Sequence, residues 1–347
     1  MPDPTQEGHV NHAISRRTAL KSAAGAAATA GLAKMLGGPA PAAAAESTPV
    51  ISTERTKIVI LGSQGGQNLT QVTGTALRCG TSVLIDVDGF VTVLDCGCGS
   101  THRIAEAGYD LNRVNKVLIT HCHADHIIDL GSIATLSWSS GRNGGEPDRR
   151  LKIYGPTGVD AYMRHFRKGL AMSIADQEGP LGQVPTFDKY ARWHEFKPPR
   201  KAKKVYSDGH IDIRTIRVKH GSVPAVGYRI RTPDVDMVFS GDRGAVGDTF
   251  PQFAKGAEVL FHEIIDEDLV VRTLTAQGAA PTFIEHLIND HCNPATVGQV
   301  ATEAGVGTLV LNHLIPGNPA LTDDYWRALV APHYSGRIIV AKDLMVV

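Results

Sequence analysis

Three imidazoles and a carboxylate lie close together in Thr120-His121-Cys122-His123-Ala124-Asp125-His126. Neutral imidazole nitrogen and carboxylate oxygen are donors that borderline divalent cations prefer, and alternate residues of a short turn can converge on one ion while the next two reach a second. Two such ions sharing a water lower its pKa toward neutrality, which makes a hydrolytic nucleophile at physiological pH. Each ion needs three or four protein donors, so more must come from elsewhere in the 347 residues. His220 in Val218-Lys219-His220-Gly221, Asp242 in Ser240-Gly241-Asp242-Arg243 and His313 in Val310-Leu311-Asn312-His313 are the candidates. A single histidine or aspartate of this kind reads as a capped turn residue. The recurrence of one setting, just after an apolar or alternating run, joins them.

That setting is the end of a strand. The run Asn115-Lys116-Val117-Leu118-Ile119-Thr120 is short, apolar and β-branched, which puts the histidine loop at a strand's C-terminal end, where α/β folds place their sites. Ile211, Ile213 and Thr215 alternate ahead of His220. Strands are predicted over 57–61, 75–86 and 90–95, the last two joined by a turn through Asp88-Gly89. A helix over 100–107 ends at Gly108, strands follow at 117–120 and 151–154, and Gly155-Pro156-Thr157 opens a helix through His165. From Ile211 onward strands alternate with helices such as 294–304. Residues 171–208 lose periodicity and are rich in Gly, Pro and charge, so an irregular insertion over the active-site mouth is predicted there. Its Tyr190, Trp193 and Phe196 either grip an organic group or anchor the loop to the core. The turn Gly62-Ser63-Gln64-Gly65-Gly66 is placed facing the ions, and lacking a phosphate-binding lysine it is no nucleotide signature.

Together, His121, His123, Asp125, His126, His220, Asp242 and His313 resemble the full ligand set of the metallo-β-lactamase superfamily, over the chain from about Lys57 to its end. The resemblance implies that His121, His123 and His220 hold one metal, that Asp125, His126 and His313 hold the other, and that Asp242 bridges them. It also implies the fold, an α/β protein built as an αββα four-layer sandwich, where periodicity alone would allow a doubly wound sheet. True class B lactamases lack the histidine at the position of His126 or carry cysteine at that of Asp242, and flavodiiron proteins carry glutamate at that of His123, so those branches are set aside.

Finer similarity is to the tRNase Z and arylsulfatase-like branch, which includes cyclic-nucleotide phosphodiesterases. Arg78-Cys79-Gly80-Thr81-Ser82, Leu94-Asp95-Cys96-Gly97, Leu260-Phe261-His262-Glu263 and His291-Cys292-Asn293-Pro294 carry it. That resemblance implies His291 as general acid and Glu263 as its orienting partner, although Ile264-Ile265 and Cys292-Asn293 depart from the branch's loops. The competing role for His291 is the N-terminal cap of the helix starting near Pro294. Asp125 is expected to accept or orient the nucleophile's proton, and Asp95 to fix an imidazole tautomer.

The N-terminus sets the compartment. Ser15-Arg16-Arg17-Thr18-Ala19-Leu20-Lys21 precedes an Ala- and Gly-rich stretch and small residues up to a cleavage point near Ala45-Glu46, which resembles a twin-arginine export signal over residues 1–45. The expected partner during export is the twin-arginine translocase, and residues 46–347 form one hydrolase domain that is periplasmic or secreted. No apolar run is a persuasive membrane span. Precursor tRNA is absent outside the cytoplasm, and Lys plus Arg equal Asp plus Glu at 35 each, so no nucleic-acid partner is expected. The basic run Lys197-Pro198-Pro199-Arg200-Lys201-Ala202-Lys203-Lys204 reads as a solvated loop, or as a means of steering a small anion. Of five cysteines, Cys79 with Cys96 or Cys98 is the expected disulfide in an oxidising compartment, Cys122 points away from the ions and Cys292 packs in the core.

The expected protein is therefore an exported binuclear hydrolase of a phosphoester or sulfate ester of a small organic molecule, a phosphodiesterase or arylsulfatase in type. Its cofactors are two divalent ions, Zn²⁺ first, with Mn²⁺, Fe or Co²⁺ accepted by the same donors. A lactonase or carboxylic-ester hydrolase on the same site, and a non-catalytic metal-binding protein, are the alternatives; the resemblance also admits a homodimer.

Overall fold

In the strand β1 (Thr56–Gly62), isoleucine, valine and leucine follow one another, and consecutive side chains go to opposite faces. Ile58 and Ile60 enter one apolar layer, Val59 and Leu61 another, and all four are buried. A sheet covered on both faces needs layers on either side of it. The computed structural model describes residues 51–66, 78–140, 150–183, 185–244 and 249–347, all within the unit Pro49–Val347. The export signal read over 1–45, and the first residues of the strand read from 75, lie outside the described residues.

In the first sheet, β1, β2 (Ser82–Val87) and β3 (Phe90–Leu94) run antiparallel, and β4 (Val114–Leu118), β5 (Lys152–Pro156) and β6 (Arg192–Phe196) continue in parallel. The second sheet repeats this plan. β7 (Lys203–Ser207), β8 (Asp212–Val218), β9 (Ala225–Arg231) and β10 (Asp236–Phe239) are antiparallel, then β11 (Val259–Ile265), β12 (Thr308–Ile315) and β13 (Arg337–Val340) parallel. Asp88 and Gly89, both at positive φ (52° and 88°), make the tight turn between β2 and β3 that such a pair favours.

The helices of the first half are α1 (Ser100–Glu106), α2 (Ala124–Ile127), α3 (Leu130–Ser140), α4 (Val159–Gly169), α5 (Ala171–Glu178) and α6 (Phe187–Tyr190). Those of the second are α7 (Phe250–Ala254), α8 (Glu267–Ala276), α9 (Pro281–Asp290), α10 (Pro294–Ala304) and α11 (Asp323–Val330). Ile58, Ile85, Tyr228, Phe239 and Val310 fill the layer between the sheets. Val59, Val93 and Ile153 pack outward against Ile104, Ile133 and Met163 of the first helices, and Leu260, Leu309 and Leu311 against Val297, Val300 and Trp326 of the second. Two mixed sheets face each other between helical layers, the αββα sandwich. No helix among the described residues is long and apolar enough to cross a membrane.

Two expectations are corrected. Residues 171–208 are not an irregular loop over a site: they form α5, α6, β6 and the start of the second sheet, and carry the chain from one sheet to the other. These elements hold 4–8 residues each, too few to show a period. Trp193 and Phe196 are anchors, the indole N–H donating to Asp160 Oδ1 at 2.9 Å and the phenyl ring packing on the inter-sheet layer. The second correction is to the disulfide, for all five cysteine sulfurs remain outside any such bond. Cys79 Sγ instead accepts from Arg103 Nε at 3.2 Å, while Cys96 is fully buried in the first outer layer.

Candidate metal centre

Asp95 organises the histidine loop from one residue beyond β3. Its backbone is left-handed (φ 56°), and its two carboxylate oxygens accept from Thr120 N and Thr120 Oγ1, both at 2.8 Å. Asp95 Oδ2 also accepts from His126 Nδ1 at 2.9 Å, which leaves His126 Nε2 as the lone-pair nitrogen. Since the Thr120 hydroxyl hydrogen goes to Asp95, its oxygen takes the Nδ1–H of His121 at 3.1 Å, and His121 Nε2 is likewise bare. His220 Nδ1 donates to the Asp290 carbonyl at 2.9 Å and reaches the same state.

These bare nitrogens converge. His121 Nε2 and His220 Nε2 stand 3.0 and 3.1 Å from His123 Nδ1. Asp125, His126, Asp242 and His313 form a second group beside them, all buried. One oxygen lies between the groups: Asp242 Oδ2 is 3.2 Å from the Nε2 of both His126 and His313, and 3.8 Å from the Nε2 of both His121 and His220. The strand β12 is bent to deliver His313. Leu311 pairs with His262 and Leu314 with Ile264, so Asn312 and His313 together oppose Glu263, a β-bulge with His313 at φ 48°. Glycine is needed opposite, for a Cβ at Gly65 would stand 2.5 Å from His313 Nδ1. The turn holding it also supplies Gly66 N, which donates to Asp125 Oδ2 at 2.9 Å.

Burial lowers the pKa of His121 and His123 and takes His220 down to about 4, so these rings are neutral ligands in waiting. Burial also opposes charge on His126, but Asp242, Asp125 and Asp95 outweigh it and raise its pKa, a pull toward positive charge at Nε2 that a bound cation would answer in place of a proton. Burial would raise Asp125 and Asp242 too, yet His126 and His313 hold both carboxylates well below the usual range. Carboxylates and imidazoles thus share one buried volume, with His126 Nε2 and Asp242 Oδ1 lacking hydrogen-bond partners. Such a set is what dications satisfy, and the residues fit two of them.

His291 and Glu263 also meet here. Glu263 Oε2 accepts from His291 Nδ1 at 3.2 Å and Oε1 from Cys292 N at 2.8 Å, and the His291 ring lies 5.3 Å from that of His220 and 5.6 Å from that of His313. Burial disfavours charge on His291, but the Glu263 carboxylate, aided by Asp242 and Asp125, lifts its pKa to about 9. His291 is not the cap of α10: that is Asn293, whose Oδ1 accepts from Thr296 N at 3.0 Å. Cys122 packs on the first outer layer and Cys292 on the second.

A cavity of about 570 Å³ opens over these groups. Its outer wall is the α8–α9 pair with Ile315, Pro316 and Gly317, none of which reading by residue type brought to the site. The available signal was the spacing of Val270 with Leu274 and of Phe283 with Leu287, each pair four residues apart on one helix face.

Residues 92–314 match the family model described as "Beta-lactamase superfamily domain", and the chain belongs to that superfamily, in its metallo-β-lactamase fold. Among curated relatives, ribonuclease Z of Mycobacterium bovis (strain BCG / Pasteur 1173P2) is 30% identical over 272 residues, which are 77% of this chain and 91% of that one. Human short-form tRNase Z has a similar structure, with a TM-score of 0.57 at 18% identity, covering 84% of this chain and 98% of that one. Zn²⁺-bound PqqB from Methylobacterium extorquens gives 0.60 at 16% identity, covering 84% and 99%. The two structures share the fold; the first relative, named for ribonuclease activity, leans against the expectation that nucleic acid is no partner.

Proposed function

We propose that this protein is a binuclear-metal phosphoesterase, exported as a folded enzyme. The observation that carries the reading is the position of Asp242 Oδ2, between His121 and His220 on one side and His126 and His313 on the other. On this reading His121, His123 and His220 would hold one ion and Asp125, His126 and His313 the other, with Asp242 in reach of both groups. Zn²⁺ is the first choice for this donor set. When bound, such ions supply Lewis acidity: they lower the pKa of a water and offset charge growing on a phosphoryl oxygen. Asp125, held by Gly66 N, takes or orients the proton of the attacking group. His291, its Nδ1 fixed by Glu263, presents Nε2 as the proton donor to the departing alkoxide.

The phosphoester is favoured over the sulfate ester and the lactone by the kinship with ribonuclease Z, whose name denotes phosphodiester cleavage. Export is supported by Arg16-Arg17 and the small-residue stretch after them, and places the substrate outside the cytoplasm. Zinc-loaded protein assayed against bis-p-nitrophenyl phosphate, p-nitrophenyl sulfate and a panel of lactones is the test. Turnover confined to the phosphoester is expected; turnover confined to sulfate or lactone removes the reading.

A further inference from the structure

The cavity over the candidate centre has two unlike ends. Its floor is polar and titratable, with His123, Asp125, His220, Asp242 and His291. Its outer wall is hydrocarbon: Val270 and Leu274 of α8, Phe283 and Leu287 of α9, and Ile315 and Pro316 beyond β12. The polar groups interleaved with that wall, Gln64, Thr273 and Asn318, are uncharged, and His286 is paired through Nδ1 with Asp290 Oδ2 at 2.7 Å. No lysine or arginine is among the described residues that line it.

A nucleic-acid strand passing through such a cavity would bring a negative charge at every nucleotide, and proteins that hold such strands meet those charges with Lys and Arg. Here only the phosphate on the floor would find charge complementarity. A volume of about 570 Å³ is also that of a small-molecule site. Phe283 is 47% exposed in the free protein, an apolar ring at the rim that gains by being covered.

We infer that the α8–α9 wall is a subsite for an uncharged, apolar ester arm, so that the substrate is a phosphoester of a small hydrophobic alcohol or phenol rather than an oligonucleotide. The inference deepens the phosphoesterase reading and rests on it for the position of the phosphate. Specificity then comes from desolvating the arm, and it grows with arm length until the wall is filled, each fully buried methylene being worth about fourfold in affinity.

Calorimetric titration of zinc-loaded protein with methyl-, butyl- and hexylphosphonate tests it by binding alone. Kd is expected to fall by at least about tenfold from methyl to hexyl. In Phe283→Ala and in Leu274→Asn that ratio is expected to shrink to about threefold or less, the first being a surface change that leaves the fold intact. A ratio near one in the wild-type protein, an unchanged ratio in both variants, or tighter binding of a diribonucleotide 3′-phosphate than of hexylphosphonate overturns the inference. The two readings fail separately: absence of phosphoester turnover with both ions held would remove the phosphoesterase, while the phosphonate series would still decide the wall.

Discussion

The histidine loop and the α8–α9 wall border the same cavity and are built on opposite terms. At the centre several ligand candidates are held from behind: His126 by Asp95, His121 by the Thr120 hydroxyl, His220 by the Asp290 carbonyl and Asp125 by Gly66 N. The wall packs through a small cluster in which Val270, Ile265 and Ile315 are buried and Leu274 and Leu287 half-buried. On the proposed reading, chemistry would be set where side chains are held from behind, and selectivity on helices that can be exchanged without altering the ligand candidates. Loops and lids that choose substrates on a fixed catalytic scaffold follow the same division.

The sharpest break of this contrast is Asp242→Ala, which removes the oxygen common to both groups; metal content by mass spectrometry should collapse and phosphoester turnover fall by about a thousandfold or more. His291→Ala should lower kcat by about 10²- to 10⁴-fold with both ions retained, and loss of metal would instead make His291 a ligand. Asp95→Asn keeps the shape but weakens the support behind His126, and zinc affinity measured by competition with a chelator should drop by about 10- to 100-fold.

The smallest effect is on pH. Burial, with Arg243 adding to it, takes His262 from its ordinary 6.5 down to about 3. In the folded protein His262 Nδ1 donates to the Glu263 carbonyl while Nε2 accepts from Arg243. Between those two pH values the unfolded chain binds a proton that the folded chain refuses, so the contribution is full above 6.5 and is lost as pH falls toward 3. Melting temperature should decline over that window, and His262→Gln should flatten the decline.

The clustering of the candidate ligands was legible from residue types, because metal-ligand chemistry draws on only a few of them. The seven histidines and aspartates picked out by type lie together in the structure. The hairpin at Asp88-Gly89 and the helix 294–304 were equally plain, since a turn needing positive φ and a Pro-to-Gly span leave local marks. Residues 171–208 were not, for elements of 4–8 residues lack a period and take their form from the sheet edges they join. Nor was the wall: Val270, Leu274, Phe283 and Leu287 are ordinary helix-face residues, and only the tertiary arrangement turns their face to a cavity. The cysteines illustrate a third limit, because proximity along adjoining strands does not fix where a sulfur points, and Cys79 turns to Arg103.

The second sheet repeats the plan of the first, and the candidate ligands divide with it: four precede β5 and three follow the start of β8. A bound pair of cations is then a clasp fastening two half-chains. Arg200, Lys201 and Ala202, exposed between β6 and β7, offer trypsin a place to sever the covalent link. A chain nicked there should stay in one piece on a sizing column while zinc remains, and come apart more readily once a chelator opens the clasp.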